Sequence, residues 1–530
     1  MAESTARKIL VAAAAWVVIL AALAAAYRYL VHPSLAGKLE SETGTGTRYA
    51  SEVALAADSF SGYCVLRSEA MKGDLRSKGV KFSIQDDKAD YAARTRALRD
   101  GRIQMAAFTV DSLVSSCAGM GEFPATIVMV IDETSGADAI VSPPGGPKSL
   151  QDLSGPEARF VLTPGSPSEF LARVVIAHFN LPGLPKNWRV DADGAAEVLA
   201  KMNSSARGAS SQASAHARTA YVLWEPYVSK AVASGARVLF DSSKVKGYVV
   251  DVLVAERRFL REKPEVVRAV VESYFRALHA AAREPDGMAR LVMDDAASTG
   301  SERLDESQAK RLAAGILWRN TLENYAHFGL LSNPEPGGPR HMEDVVTNTI
   351  SVLLKTGALD RDPLPGKAGS VFYDRVLREM RDAQFHPGTG LAALGGAGAE
   401  PERVRSDAEL TKLSDDEWRK LVPVGELKVA PIAFARGGFE MGVQGKRDLA
   451  ELAGVLRSFP RYYLAVVGHA RADGDPDENM ALARARAKAA ADFLGAQGVS
   501  PDRISARADP PAASDGSAQS VSFVLGQAPY

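Results

Sequence analysis

Thr219-Ala-Tyr-Val-Leu-Trp-Glu-Pro-Tyr-Val228 holds a strand, a sharp turn and a helix start in ten residues. Tyr221-Val-Leu-Trp224 is a short, wholly apolar, β-prone run, which predicts a strand buried on both faces. Glu225-Pro226 ends it. Proline suits the first turn of a helix, and residues 227–234 predict that helix, closed by Gly235. The turn therefore carries an aromatic and a carboxylate just beyond the carboxyl end of a strand. Open α/β sheets hold ligands at that place. Taken alone, the stretch is equally a core strand whose Trp packs.

Three other stretches repeat the arrangement. Apolar strands over 52–57, 103–108 and 159–162 end in Asp58-Ser-Phe-Ser-Gly-Tyr63, Thr109-Val-Asp111 and Thr163-Pro-Gly-Ser-Pro-Ser168. Each turn is small, polar or aromatic and precedes an expected helix start, where backbone N–H groups point outward. With Ser135-Gly-Ala-Asp-Ala-Ile140, Leu223-Trp-Glu-Pro-Tyr227 and Gly247-Tyr-Val-Val-Asp-Val-Leu253, the pattern resembles periplasmic substrate-binding proteins of the nitrate, sulfonate and taurine ABC-transporter group. The likeness covers about residues 50–385. It implies an α/β, two-lobed periplasmic-binding-protein fold of the second type, with a cleft that closes on a solute. The candidate ligand-binding residues are Ser59, Phe60, Tyr63, Thr109, Asp111, Ser166, Ser168, Trp224 and Glu225. No Lys or Arg lies within these turns, whereas Asp58, Asp111 and Glu225 do. Buried carboxylates cost several kcal/mol unless paired or protonated, which favours a solute with an amine or zwitterionic part over nitrate or a simple sulfonate.

At 530 residues the chain is too long for one ordinary domain, and its 46% hydrophobic and 24% charged composition supports a real core. A formal net charge of −1 gives no sign of a nucleic-acid partner. The two cysteines, Cys64 and Cys117, exclude a disulfide framework. Two buried free thiols are the expectation, with a single bridge as the alternative.

Arg7-Lys8 precede an uncharged run over 9–27, long enough to cross a bilayer as a helix. A retained transmembrane anchor is preferred to a cleaved signal ending at Ala24-Ala-Ala26, and either places the rest outside the cytoplasm. Residues 31–50 read as a tether and 51–385 as the two-lobed module, with lobe two over about 145–240. Strands near 124–132 and 137–142 are expected to cross between lobes, and the chain to return near 248–254. Residues 202–217 look like a surface loop, and helices are expected over 265–283, 306–325 and 342–355. Residues 386–424 form a linker with one short helix opened by the capping box Ser414-Asp-Asp-Glu417.

Beyond it, strands over 427–434, 462–467 and 521–525 and helices over 446–459 and 479–494 predict a small α+β domain. Pro431-Ile-Ala-Phe434, Gly468-His469, Gly474, Asn479-Met-Ala-Leu482, Arg486-Ala487 and Gly498-Val499 resemble the OmpA-like peptidoglycan-binding domain, over about residues 425–527. The resemblance implies that an Asp and an Arg hold the ammonium and carboxylate of the peptide stem. Arg486 keeps the second role, with Asn479 nearby, but Arg471 stands where the Asp belongs and would repel the ammonium. Asp473, two residues on, is the substitute if the loop shifts.

No metal-protease, phosphate-loop or nucleophile-elbow motif occurs, and the eight histidines are scattered. Neither an enzyme nor a cofactor is expected. The residues point to a membrane-tethered periplasmic protein that captures a small solute for an ABC permease or a sensor and touches peptidoglycan. The alternative is an envelope scaffold whose two-lobed module has lost its ligand.

Overall fold

The structure, a computed structural model, describes residues 49–207, 218–300, 303–332, 337–389, 402–406, 410–470, 474–510 and 521–528. It separates into two compact units, Met1–Glu52 with Arg76–Lys81 and Val53–Leu75 with Phe82–Tyr530. The residues of functional interest belong to the second. The expected span over 9–27 lies outside the described residues. Among those described, no helix is long and apolar enough to cross a membrane.

The first lobe is built on β1 (Ser51–Ala56), β2 (Val80–Gln85), β3 (Met105–Thr109), β4 (Ala125–Thr134), β10 (Val250–Glu256) and β11 (Ile316–Trp318), in the order β11-β4-β10-β3-β1-β2. The second is built on β5 (Asp138–Ser142), β6 (Arg159–Leu162), β7 (Arg189–Asp191), β8 (Thr219–Trp224) and β9 (Arg237–Asp241), in the order β7-β6-β8-β5-β9. The two orders repeat one scheme. In each lobe the second, first and third strands lie side by side, followed by an antiparallel strand on a crossing connection. Every residue of β3, β4 and β5 is buried, Asp132, Glu133 and Asp138 included, because these largely apolar runs are covered on both faces.

The chain crosses between lobes twice, over 135–137 and 242–249, and the two crossings are stitched together. The Ser242 hydroxyl accepts from the N–H groups of Gly136 (2.8 Å) and Asp138 (3.3 Å). Thr134 donates its N–H to the Val249 carbonyl at 3.1 Å.

Three expectations need correction. The helix foreseen over 306–325 is broken into Glu306–Ala314 and Thr321–His327 by β11, which adds an edge strand to β4. Residues 202–207 are not loop but the last turns of the helix Gly194–Arg207, while 208–217 lie outside the described residues. The strand foreseen over 427–434 lies five residues earlier, as β12 (Val422–Glu426). The predicted capping box is present at Ser414, opening Asp415–Lys420. Cys64 and Cys117 are both buried and free.

The carboxyl-terminal domain has the sheet order β12-β15-β13-β14, with β13 Tyr463–His469, β14 Ile504–Asp509 and β15 Val521–Gln527. The helix Pro476–Ala496 presses on β13 so closely that a Cβ on Gly468 would sit 2.0 Å from the Ala483 carbonyl oxygen. The domain docks on lobe two. Phe179 and Leu427 form an antiparallel bridge, with Asn180 N–H on Glu426 O (2.8 Å) and Lys428 N–H on His178 O (2.7 Å). Phe179, Phe240, Tyr248, Phe459 and Tyr462 pack there, each no more than 2% exposed. Tyr248 Oη and His178 Nε2 share a 2.6 Å hydrogen bond inside this cluster.

Candidate functional site

The parallel strands of each lobe point their carboxyl ends toward one cleft of about 650 Å³. That size suits a small organic ligand. Ser59, Phe60, Tyr63, Thr109, Ser166, Trp224 and Glu225 all line it. Asp111 and Ser168 do not: they are 5% and 0% exposed, behind the cleft wall in the first turns of their helices. Burial raises the Asp111 carboxyl to about 7, so near neutral pH it is partly protonated.

At three of the turns around the cleft the protein's own carboxylates already take a backbone N–H. Asp58 Oδ1 takes the Phe60 N–H at 3.0 Å, and its Oδ2 lies 3.1 Å from Arg94 Nη2. Glu169 takes the Gly165 N–H at 2.7 Å and pairs with Arg173 and Arg189. Glu225 takes the N–H of Ser229 at 3.1 Å and its hydroxyl at 2.8 Å. A bare anion at any of these three N–H groups would have to displace a carboxylate. Arg67, too, is spent: it grips the Asp58 and Phe60 carbonyls and pairs with Asp295 through two nitrogens.

The floor of the cleft holds acids that the turn pattern did not reveal. The strand registers set Thr109, Asp251, Asp132 and Trp318 in one row across β3, β10, β4 and β11. Cross-strand partners face the same side of a sheet, so the two carboxyls are neighbours. Asp251 lines the cleft at 1% exposure and accepts the Tyr63 hydroxyl, whereas Asp251 Oδ2 and both Asp132 oxygens meet no donor among the described residues. Desolvation raises Asp132 to about 8 and pushes Asp251 well up, each also raised by the other's charge or its acidic neighbours. Asp138, the first residue of β5, lines the cleft at 4% exposure and is raised by burial to about 6. Phe60, Tyr63, Tyr91, Trp224 and Tyr227 supply aromatic walls. Gly62 must be glycine, since a Cβ there would lie 2.4 Å from Asp132 Oδ2 and 2.3 Å from the Phe60 ring. No group of three His, Cys, Asp or Glu among the described residues could hold a metal ion.

In the carboxyl-terminal domain Arg486 is 2% exposed. Its Nε donates to Gly438 O (2.8 Å), its Nη2 to Ala435 O (3.3 Å), and its guanidinium lies 5.2 Å from the Phe434 ring centre. Asn479 is half-buried at the start of the helix. Arg471 and Asp473 lie outside the described residues.

Residues 433–521 match the model of the OmpA family. This is an OmpA domain. Among solved structures, the periplasmic aliphatic sulphonate-binding protein SsuA of Escherichia coli is 15% identical, with TM-score 0.44 over 62% of this chain and 99% of its own. A putative periplasmic sulfonate-binding protein of Methylobacillus flagellatus is 12% identical, with TM-score 0.45 over 63% and 94%. The periplasmic nitrate-binding protein NrtA of Synechocystis is 12% identical, with TM-score 0.42 over 64% and 90%. The matched region lies amino-terminal to the OmpA domain, whose sequence signal was the stronger of the two.

Proposed function

We propose that this is an envelope protein whose two-lobed module captures a small solute, amine-bearing or zwitterionic, for an ABC-type permease or a sensor. In this reading residues 9–27 anchor it in the inner membrane, the remainder is periplasmic, and the OmpA domain faces the cell wall. One observation carries the binding role: strand ends of two sheets, joined by two adjacent crossings, wall a single cleft. The strand order shared by both lobes supports the second-type binding-protein topology. Two lobes on a paired crossing can close by a hinge. The role is binding without turnover.

A thermal-shift screen of the full chain against a metabolite library tests it. A solute at a hundred times its Kd should stabilise the protein by about 2.7 kcal/mol. Silence across the library would instead support the scaffold reading, in which the lobes only carry the OmpA domain.

For the wall, the expectation is weak binding. Arg471 occupies the ammonium-binding place implied by resemblance, and Arg486 is buried against carbonyls. Losing a charge-assisted partner costs about 1.5–3 kcal/mol, on the order of tenfold to a hundredfold in affinity. Pull-down of the full chain on purified sacculi should therefore be poor and improve with Arg471→Asp. Strong wild-type binding that is lost in Asp473→Ala would show that the acid has moved two residues along.

A further inference from the structure

We infer that the solute's cationic group is an ammonium bearing N–H donors, held by Asp251 at the cleft floor, and that its arrival expels a proton shared by Asp251 and Asp132. This rests on the solute-capture reading and deepens it. Two independent observations carry it. Asp251 is 1% exposed, lines the cleft, and keeps one oxygen without a donor among the described residues, as Asp132 keeps two. The backbone N–H groups of Phe60, Gly165 and Ser229, meanwhile, are taken by Asp58, Glu169 and Glu225, so these turns offer acceptors rather than donors.

Two adjacent buried carboxyls cannot both ionise cheaply, so the empty site retains a proton between them. Around Asp132 stand Arg319, Glu133 and Asp138, of which Arg319 alone favours ionisation and is itself paired with Glu133 and Glu323. Around Asp251 stand Tyr63, which donates to it, and Asp58 and Asp111, which oppose its charge. An ammonium donating to Asp251 supplies the missing positive charge, and the shared proton leaves to solvent. No covalent bond changes. Asp138, at the start of β5, also lines the cleft and offers a second acceptor, and the aromatic walls receive the rest of the cation.

Titration calorimetry of the full chain at pH 7, in two buffers of different ionisation enthalpy, tests this. The probes are phenethylamine, ethanolamine and γ-aminobutyrate, with nitrate and ethanesulfonate as anions and glycerol as a neutral solute. At least one amine should bind with close to one proton released per molecule. Asp251→Asn should weaken it at least tenfold and abolish the release. Asp132→Asn, which removes one of the two carboxyls that share the proton, should retain amine binding with a smaller proton release. A single cooperative thermal transition of both variants at pH 8 shows that they fold. Amine binding without proton release, or insensitive to Asp251→Asn, overturns the inference. If only anions or glycerol bind, the ammonium site fails while solute capture stands. If no probe binds and no library solute shifts stability, both fail together.

Discussion

Arg94 is the residue on which lobe one's side of the cleft turns. It is 1% exposed, pairs with both Asp58 and Asp87, donates to the Ala107 carbonyl, and lies 4.8 Å from the Tyr91 ring centre. Removing one partner of a buried ion pair strands the other, at about 3–5 kcal/mol. Arg94→Ala should therefore lose stability on that scale in urea titration and free the 58–60 loop. Nothing in the turn sequence announced Arg94. It lies in the helix Tyr91–Arg99 and reaches Asp58 across 36 positions of sequence. The aromatic and carboxylate of Trp224-Glu225 could be read from sequence because strand, proline and glycine bracket them within a few residues. Asp251 and Asp138 could not. Each is a lone acid inside an apolar run, and only the pairing of β10 with β4 reveals what Asp251 faces. The one available signal was that an unpaired Asp is out of place in a buried strand.

At the scale of elements, the strands and one helix start beside the cleft hold acids that are easier to bury neutral. Asp132 is raised to about 8, Asp111 to about 7 and Asp138 to about 6, each chiefly by desolvation. The folded state thus holds protons that the unfolded chain, with carboxyls near 3.9, releases earlier. This stability is fully present below about pH 4 and is lost as pH rises through 6 to 8. Urea midpoints of the solute-free protein should fall between pH 6 and 8.5, and Asp132→Asn should flatten that fall. His178 and His327 act in the opposite direction. Burial lowers both to about 3, so their contribution is present above 6.5 and lost as pH drops toward 3. Long elements were legible in the sequence, as with Met342–Lys355, because apolar periodicity accumulates over several turns. Short ones were not. Ile316-Leu-Trp318 is too brief to show a period of its own, and it was absorbed into the helices on either side.

At the scale of the molecule, the OmpA domain rests on lobe two through a buried aromatic cluster rather than hanging from its linker. Arg503 helps fix the contact surface by donating to the Phe459 carbonyl at 2.6 Å. Phe459 itself touches His178, Phe179, Phe240 and Tyr248. Truncating such a core aromatic costs about 3–5 kcal/mol. Phe459→Ala should split a single calorimetric transition into two, and limited proteolysis near residue 425 should accelerate. Tyr248 stands on the return crossing, three residues before Asp251, so this docking braces the same connection that carries the floor of the cleft. Composition and local pattern indicated two modules, yet their contact was invisible to both, because Phe179 and Phe459 lie 280 positions apart and no local period links them.

The most direct test of solute capture between the lobes is hydrogen exchange of the full chain, with and without the solute that stabilises it best. The account predicts simultaneous slowing over 58–63 and 249–251 from lobe one and over 163–166 and 224–227 from lobe two. Protection confined to one lobe, or to the OmpA domain, would contradict it.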